Sequence, residues 1–199
     1  KERKMLLIFY VDDILIVYER KSVLEDFIRR LQQRFKLKNL EKTDDFLGYN
    51  IEKTEAGIMV TQSVYFDQLL NDYGYKDCNS VYIPATENPS GKKSTKLGMY
   101  NMNRIAGSIG WATKSRPDIC YAFSKLAQGI QSSNEESYLR AARVLRYIKG
   151  TTTYGLWYPA RTKTKNPIEA YVDSSWGHEP NEKGENRTSR SGYIIYLFG

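Results

Sequence analysis

Two short apolar runs open the chain, Met5-Leu6-Leu7-Ile8-Phe9 and Ile14-Leu15-Ile16-Val17-Tyr18. Both are rich in β-branched and aromatic residues, a composition that predicts two buried strands. Between them stands Tyr10-Val11-Asp12-Asp13, without a glycine. A helical period follows, with Leu24, Phe27, Ile28, Leu31 and Phe35 on one stripe. Ser22-Val23-Leu24-Glu25 has the form of a capping box at its start. Arg29, Arg30 and Arg34 fall off that stripe, on a solvated face. A second strand pair is expected at Phe46–Ile51 and Ile58–Thr61, joined around Ala56-Gly57. Ser63 can then cap a helix through Tyr73, with Tyr65, Phe66, Leu69 and Leu70 as its apolar face. The order β-β-α-β-β-α predicts part of a mixed sheet with helices packed on it.

Residues 84–99 lose the apolar period and carry Pro, Gly, Ser and Lys, as a linker or long loop does. Helical texture follows. One helix is expected from Tyr100 to about Thr113, with Gly107 and Gly110 beside Ile105 and Ile109 for close packing. A second opens on Pro117 and runs to about Gln131. The third starts at a capping box, Ser133-Asn134-Glu135-Glu136, and stops on Gly150. Three helices with little sheet make a small bundle. Strand texture returns at Gly155–Tyr158, Ile168–Asp173 and Ser191–Phe198, with a polar loop over 177–186. The fold class expected is α+β. Its parts are 1–83, a linker at 84–99, a helical bundle at 100–151, and a tail at 152–199.

Charge sharpens this division. The formal net charge is +7, but residues 100–165 hold 11 Lys and Arg against 3 Asp and Glu. A basic excess confined to one segment suggests an anionic polymer as partner. In the last helix of the bundle, Arg140, Arg143, Arg146 and Lys149 recur at every third residue, while Leu145 and Ile148 point inward. This stripe is either a solvated face or a set of phosphate contacts, and Tyr138 and Tyr147 beside it favour the second. Two cysteines, Cys78 and Cys120, and a single histidine, His178, offer no disulfide framework, zinc pattern or His-based catalysis. No apolar run approaches the ~18 residues of a membrane span and no signal peptide is visible, so an intracellular, non-secreted protein is expected. Because the first strand begins almost at residue 1, the chain reads as a cut from a longer polypeptide.

The candidate chemistry lies between the first two strands. A two-residue hairpin turn wants positive φ, which Asn-Gly or Asp-Gly supplies cheaply and Val-Asp does not. A tight turn here would accept strain to hold Asp12 and Asp13 at its tip, and strained charged turns tend to mark function. Paired carboxylates at a rigid strand end can bind Mg²⁺, which takes one or two carboxylates beside water and phosphate oxygens. A plain solvated Asp-Asp turn is the other reading.

Tyr10-Val11-Asp12-Asp13 between apolar strands resembles the polymerase signature of reverse transcriptases, specifically those of copia-type retrotransposon Pol polyproteins. Phe46-Leu47-Gly48-Tyr49 resembles their primer grip, although Gly48 read alone suggests only a bulge or a close backbone approach. Val60-Thr61-Gln62-Ser63-Val64-Tyr65 resembles the same family's pattern. So do Tyr100, Arg104, Gly107, Ser108, Arg116-Pro117-Asp118-Ile119 and Val144 through Gly150. Tyr171-Val172-Asp173-Ser174-Ser175-Trp176 and the stretch 187–193 resemble the start of the ribonuclease H domain, with Ser175 departing from the usual Asp. The resemblance implies the C-terminal part of a polymerase palm, a helical thumb-like bundle, and a truncated ribonuclease H-like α/β start. It implies an RNA-directed DNA polymerase that extends a primer on an RNA or DNA template with deoxynucleoside triphosphates and two Mg²⁺ ions, Mn²⁺ being the alternative. Asp12 and Asp13 would be catalytic metal ligands, Asp173 a ribonuclease H metal ligand, Phe46 to Tyr49 primer-binding, and Arg140, Arg143, Arg146 and Lys149 nucleic-acid-binding. The family's further catalytic Asp would lie in the remainder of the Pol polyprotein, so this stretch alone is expected to be inactive. The family's virus-like particles make the cytoplasm or nucleus its expected place. A non-catalytic nucleic-acid-binding remnant is the alternative. A carboxylate hydrolase is disfavoured, since no nucleophile–base pair accompanies Asp12 and Asp13.

Overall fold

A computed structural model describes residues 5–37, 45–131, 133–161, 166–180 and 187–197. Helices and small antiparallel sheets give an α+β chain in two compact units, residues 1–54 with 58–158 and residues 55–57 with 159–199.

In the first unit β1 (Met5–Tyr10) and β2 (Asp13–Tyr18) form a separate antiparallel hairpin, in register from Met5↔Tyr18 to Tyr10↔Asp13. The strands are where the apolar runs predict them, but they are not buried. α1 (Lys21–Gln32) packs against β2, Met5, Leu7, Ile14 and Ile16 are half-covered, and Leu6, Ile8, Tyr10 and Val17 stay exposed. The helix begins one residue before Ser22. Its N-cap position is Arg20, with no side-chain cap bond, so the expected capping box is not formed. Leu24, Phe27, Ile28 and Leu31 are half-buried, whereas Phe35 lies beyond the helix and is exposed.

A four-stranded sheet has the order β3 (Asp45–Phe46), β4 (Tyr49–Lys53), β5 (Gly57–Thr61), β6 (Leu156–Pro159). The strand expected over Phe46–Ile51 is therefore broken in two. Leu47 and Gly48 form a two-residue turn with φ of 55° and 78°, the positive pair that a tight hairpin requires. A Cβ on Gly48 would meet nothing within 4 Å. This glycine serves the turn and neither a bulge nor a close approach. Gly155 is the opposite case: a Cβ there would lie 2.2 Å from the Val60 carbonyl oxygen.

The core sits among α2 (Ser63–Tyr73), α3 (Thr95–Gly98), α4 (Met102–Ala112), α5 (Cys120–Gln128) and α6 (Glu135–Gly150). Phe66, Leu70, Leu97, Ile105, Ile109, Leu126, Leu145 and Ile148 are fully buried there, each worth roughly 1.5–3 kcal/mol of apolar burial. Ser63 does not cap α2. Asn50 of β4 instead accepts from the Ser63 hydroxyl at 3.0 Å and the Val64 amide at 3.4 Å, which ties the sheet to the helix start. α6 is capped by Asn134, which accepts from the Ser137 amide at 2.9 Å. Ser133 has φ 45°, and Glu136 reaches Arg140 instead of turning back to the cap. Pro117 opens a 3-10 turn, Pro117–Ile119, that leads into α5. Of the two glycines of α4, Gly110 meets the Phe123 ring and Gly107 faces open space.

One buried cation joins these elements. Arg116 is fully buried. Its guanidinium donates to both Asp118 carboxylate oxygens at 2.9 and 2.7 Å, and to the Thr151 carbonyl and hydroxyl at 2.8 and 2.7 Å. Asp118 also accepts from the Tyr147 hydroxyl at 2.8 Å. Phe66, Tyr147 and Tyr154 surround the cation with ring faces. A buried charge is tolerable only when paired and hydrogen-bonded, as here.

The stretch expected as a linker lies inside the first unit and is fastened to the bundle. Just before it Arg146 donates to the Asn79 carbonyl at 2.8 Å, and within it Arg140 donates to those of Thr86 and Glu87 at 3.4 and 3.1 Å. Lys93 pairs with Glu135 at 2.6 Å and lies over the Tyr138 ring. Ser94 caps α3 and donates to the Tyr73 carbonyl.

The second unit's described part is a long antiparallel hairpin of β7 (Ile168–Pro180) and β8 (Arg187–Leu197), with an irregularity between Ser175 and Glu179. Pairing resumes at Glu179↔Thr188 and Pro180↔Arg187, so residues 177–180 of the expected polar loop are strand. Residues 181–186 lie outside the described residues. Among the described residues no helix is long and apolar enough to cross a membrane.

Candidate catalytic turn and nucleic-acid surfaces

Register fixes the first site. With Tyr10 opposite Asp13, only Val11 and Asp12 are left to make the turn. Val11 has φ 49°, a left-handed conformation that a β-branched residue adopts at a cost on the order of 1–3 kcal/mol. Asp12 is at the turn's second position and Asp13 is the first residue of β2. Both are exposed, and among the described residues neither carboxylate makes a hydrogen bond or ion pair. Two adjacent, unengaged carboxylates on a strained tip suit Mg²⁺, a hard cation that keeps part of its water shell. Among the described residues no group of three or more His, Cys, Asp or Glu could hold a metal. The turn presents two carboxylates and no further candidate ligand group.

Phe46, Leu47, Gly48 and Tyr49 form the tip of the β3–β4 hairpin, in a sheet separate from that of Asp12 and Asp13. The Tyr49 ring packs on Trp111 of α4 at 6.0 Å, and partial burial raises the Tyr49 hydroxyl pKa. Trp111 itself is 42% exposed. It belongs to a face of α4 and the following turn that presents Asn103, Arg104, Gly107, Trp111 and Lys114 to solvent. Arg104 is stacked over the Tyr100 ring at 4.3 Å. The face combines two cations, an aromatic ring and a glycine with open space beside it. It was readable as the complement of the buried period Ile105, Ile109, Ala112, but sequence reasoning weighed only α6 as a basic surface.

α6 carries the four expected basic residues, and the structure engages them unequally. Arg140 and Arg146 hold the 79–87 backbone, with Arg140 also paired to Glu136. The Arg143 Nε atom is buried without a partner. Lys149 is exposed near the helix end. Asp173 lies on β7 opposite Gly192, exposed, and accepts from the Ser174 amide at 2.9 Å.

A family model described as reverse transcriptase (RNA-dependent DNA polymerase) matches residues 1–87. An uncharacterized mitochondrial protein of Arabidopsis thaliana is 31% identical over 97% of this chain and 79% of its own length. The retrovirus-related Pol polyprotein from transposon RE1 of the same plant is 31% identical over 96% of this chain, and that from transposon TNT 1-94 of Nicotiana tabacum 26% over 98%. The chain spans 13% and 15% of those two polyproteins. No solved structure matches it. The chain belongs to the reverse-transcriptase region of copia-type retrotransposon Pol polyproteins.

Proposed function

We propose that residues 5–18 supply the metal-binding carboxylates of RNA-directed DNA polymerisation, Asp12 and Asp13, and that the rest of the first unit holds the primer and its template. The observation that carries this reading is the turn itself: a strained Val11, with two exposed and unengaged carboxylates at the tip of a two-stranded hairpin. Bound Mg²⁺ would activate a primer hydroxyl and stabilise the leaving pyrophosphate of a deoxynucleoside triphosphate. The chain's own part is to present the carboxylates and to orient the primer. In this reading β1, β2 and the sheet of β3 to β6 belong to a palm, and α4 to α6 to a thumb. Phe46 to Tyr49 contact the primer end, and the β7–β8 hairpin begins a ribonuclease H-like domain in which Asp173 is a metal ligand.

Template–primer binding rests on the exposed face of α4, with Arg104, Trp111 and Lys114, and on α6 through Lys149, Arg143 and the outer edges of Arg140 and Arg146. Phosphate contacts release counterions, so log affinity falls against log salt with a slope of about −0.9 per contact on duplex. Fluorescence anisotropy with a primed duplex at several salt concentrations tests this. Arg104→Ala, Lys114→Ala and Lys149→Ala should each weaken all sequences alike and flatten the slope by about one unit. Unchanged affinity and slope in all three would remove the nucleic-acid reading. Two-metal phosphoryl transfer clamps both attacking and leaving oxygens, and a single turn with two carboxylates is half of such a clamp. This chain alone is therefore expected not to extend a primer in Mg²⁺. Incorporation that Asp12→Asn abolishes would contradict that expectation.

A further inference from the structure

Residues 79–93 carry neither helix nor strand, and among the described residues none of their backbone groups joins a backbone–backbone hydrogen bond. The segment is fixed at its two ends. On one side the Cys78 amide donates to the Tyr75 carbonyl at 3.4 Å, and on the other Ser94 caps α3 and donates to the Tyr73 carbonyl. Between these points Val81 and Ala85 are half-buried against the core, while Tyr82 and Ile83 are exposed. The remaining hold comes from α6, through Arg146 on the Asn79 carbonyl, Arg140 on those of Thr86 and Glu87, and the Lys93–Glu135 pair. A stretch this long without secondary structure inside a compact unit is usually functional. Few buried contacts place it at the low end of local stability.

The contacts with α6 are of a kind that a phosphate can replace. Their acceptors are neutral carbonyls, and the two bonds of Arg140, at 3.4 and 3.1 Å, are long for N–H···O. A phosphate brings a full charge and can take a guanidinium through two parallel bonds, which makes the stronger pair. Glu136, which also pairs with Arg140, is more than half exposed, and such a pair holds weakly. Thr86 Oγ1 and Arg143 Nε are buried without a partner. Opening returns both to water, so it recovers part of its own cost.

We propose that residues 79–93 are a strap over α6 that nucleic-acid phosphates displace. In the free chain the strap's carbonyls occupy Arg140 and Arg146. On a duplex the phosphates take both guanidiniums, and the strap lifts from α6 while staying attached at Cys78 and Ser94. Apparent affinity is lowered by the small fraction of chains with the strap open, so the strap sets the strength of the α6 surface. This regulation rests on the nucleic-acid reading above and not on the carboxylate turn.

Amide NMR on the full chain, titrated at low salt with a blunt DNA duplex, tests the proposal beside fluorescence anisotropy. Signals of residues 85–91 should narrow and move toward random-coil positions in step with binding. Lys93→Ala loosens the strap without altering α6. It should bind the duplex several-fold tighter, although it removes a positive charge and frees Glu135. A strap that is only part of the basic surface predicts the opposite sign, because a lost cation weakens phosphate binding. If Lys93→Ala does not fold, the wild-type titration decides alone. Binding with the 85–91 signals still at their free-chain positions, or a folded Lys93→Ala that binds no tighter than wild type, would overturn the strap and leave the nucleic-acid reading standing. A chain that binds no duplex at all would overturn both.

Discussion

At Val11 the backbone takes a left-handed φ of 49° while the side chain is 87% exposed. The valine therefore loses backbone energy there without recovering it by burial. Val11→Gly should remove the strain and stabilise the hairpin by about 1 kcal/mol. Amide exchange at the Tyr10–Asp13 pair should slow several-fold, and faster exchange would show that the turn is not strained. A second residue-scale effect belongs to Asp118. Its partial burial pushes the carboxyl pKa up, but the hydrogen bonds and charge of Arg116, with the Tyr147 hydroxyl, outweigh that and hold it below the ordinary carboxylate value. A carboxyl that binds its proton more weakly when folded stabilises the fold in its ionised form. That contribution is complete above the unfolded value of about 3.9 and drains as pH falls through the lower folded value. Urea unfolding between neutral and acid pH should show the wild type losing more stability below about pH 4 than Asp118→Asn does. Parallel pH profiles would rule out the pairing.

Among the elements, those with a strong local period were legible and those decided by a remote partner were not. The runs flanking Tyr10 to Asp13, the stripe of α2 and the inward Leu145 and Ile148 of α6 all predicted their elements. The caps were misread because a capping-box pattern fixes only spacing. Ser63 is served by Asn50, 13 residues upstream, and Ser133 is displaced by Asn134 because its own φ is positive. Phe46–Ile51 looked continuous because its turn contains Leu47, and only the φ of Leu47 and Gly48 reveals the reversal. The need for Gly155 was likewise invisible, since it arises from the Val60 carbonyl of a strand distant in sequence. Gly155→Ala should force β6 away from β5 and destabilise the first unit by more than the ~1 kcal/mol of an ordinary Gly-to-Ala change that only strains φ. Gly48→Ala, with open space around it, provides that reference. Equal Tm losses in the two variants would deny the close approach.

On the scale of the whole molecule, charge and exposure divide the tasks. The basic segment was plain in the sequence, but not that Arg140 and Arg146 are committed to the 79–87 backbone. That commitment depends on a segment whose lack of period disguised its packing. The burial predicted for β1 and β2 failed because apolar composition cannot say which face is covered. What remained legible throughout was the turn, where register and strain converge on Asp12 and Asp13. The most direct test of its role is paramagnetic broadening by Mn²⁺, titrated into the full chain and followed by amide NMR. Broadening should centre on Val11 to Ile14, be reversed by excess Mg²⁺, and disappear in Asp12→Asn. Broadening centred on other carboxylates, such as Glu25 and Asp26, or unaffected by Asp12→Asn, would contradict the assignment of this turn as the metal-binding site.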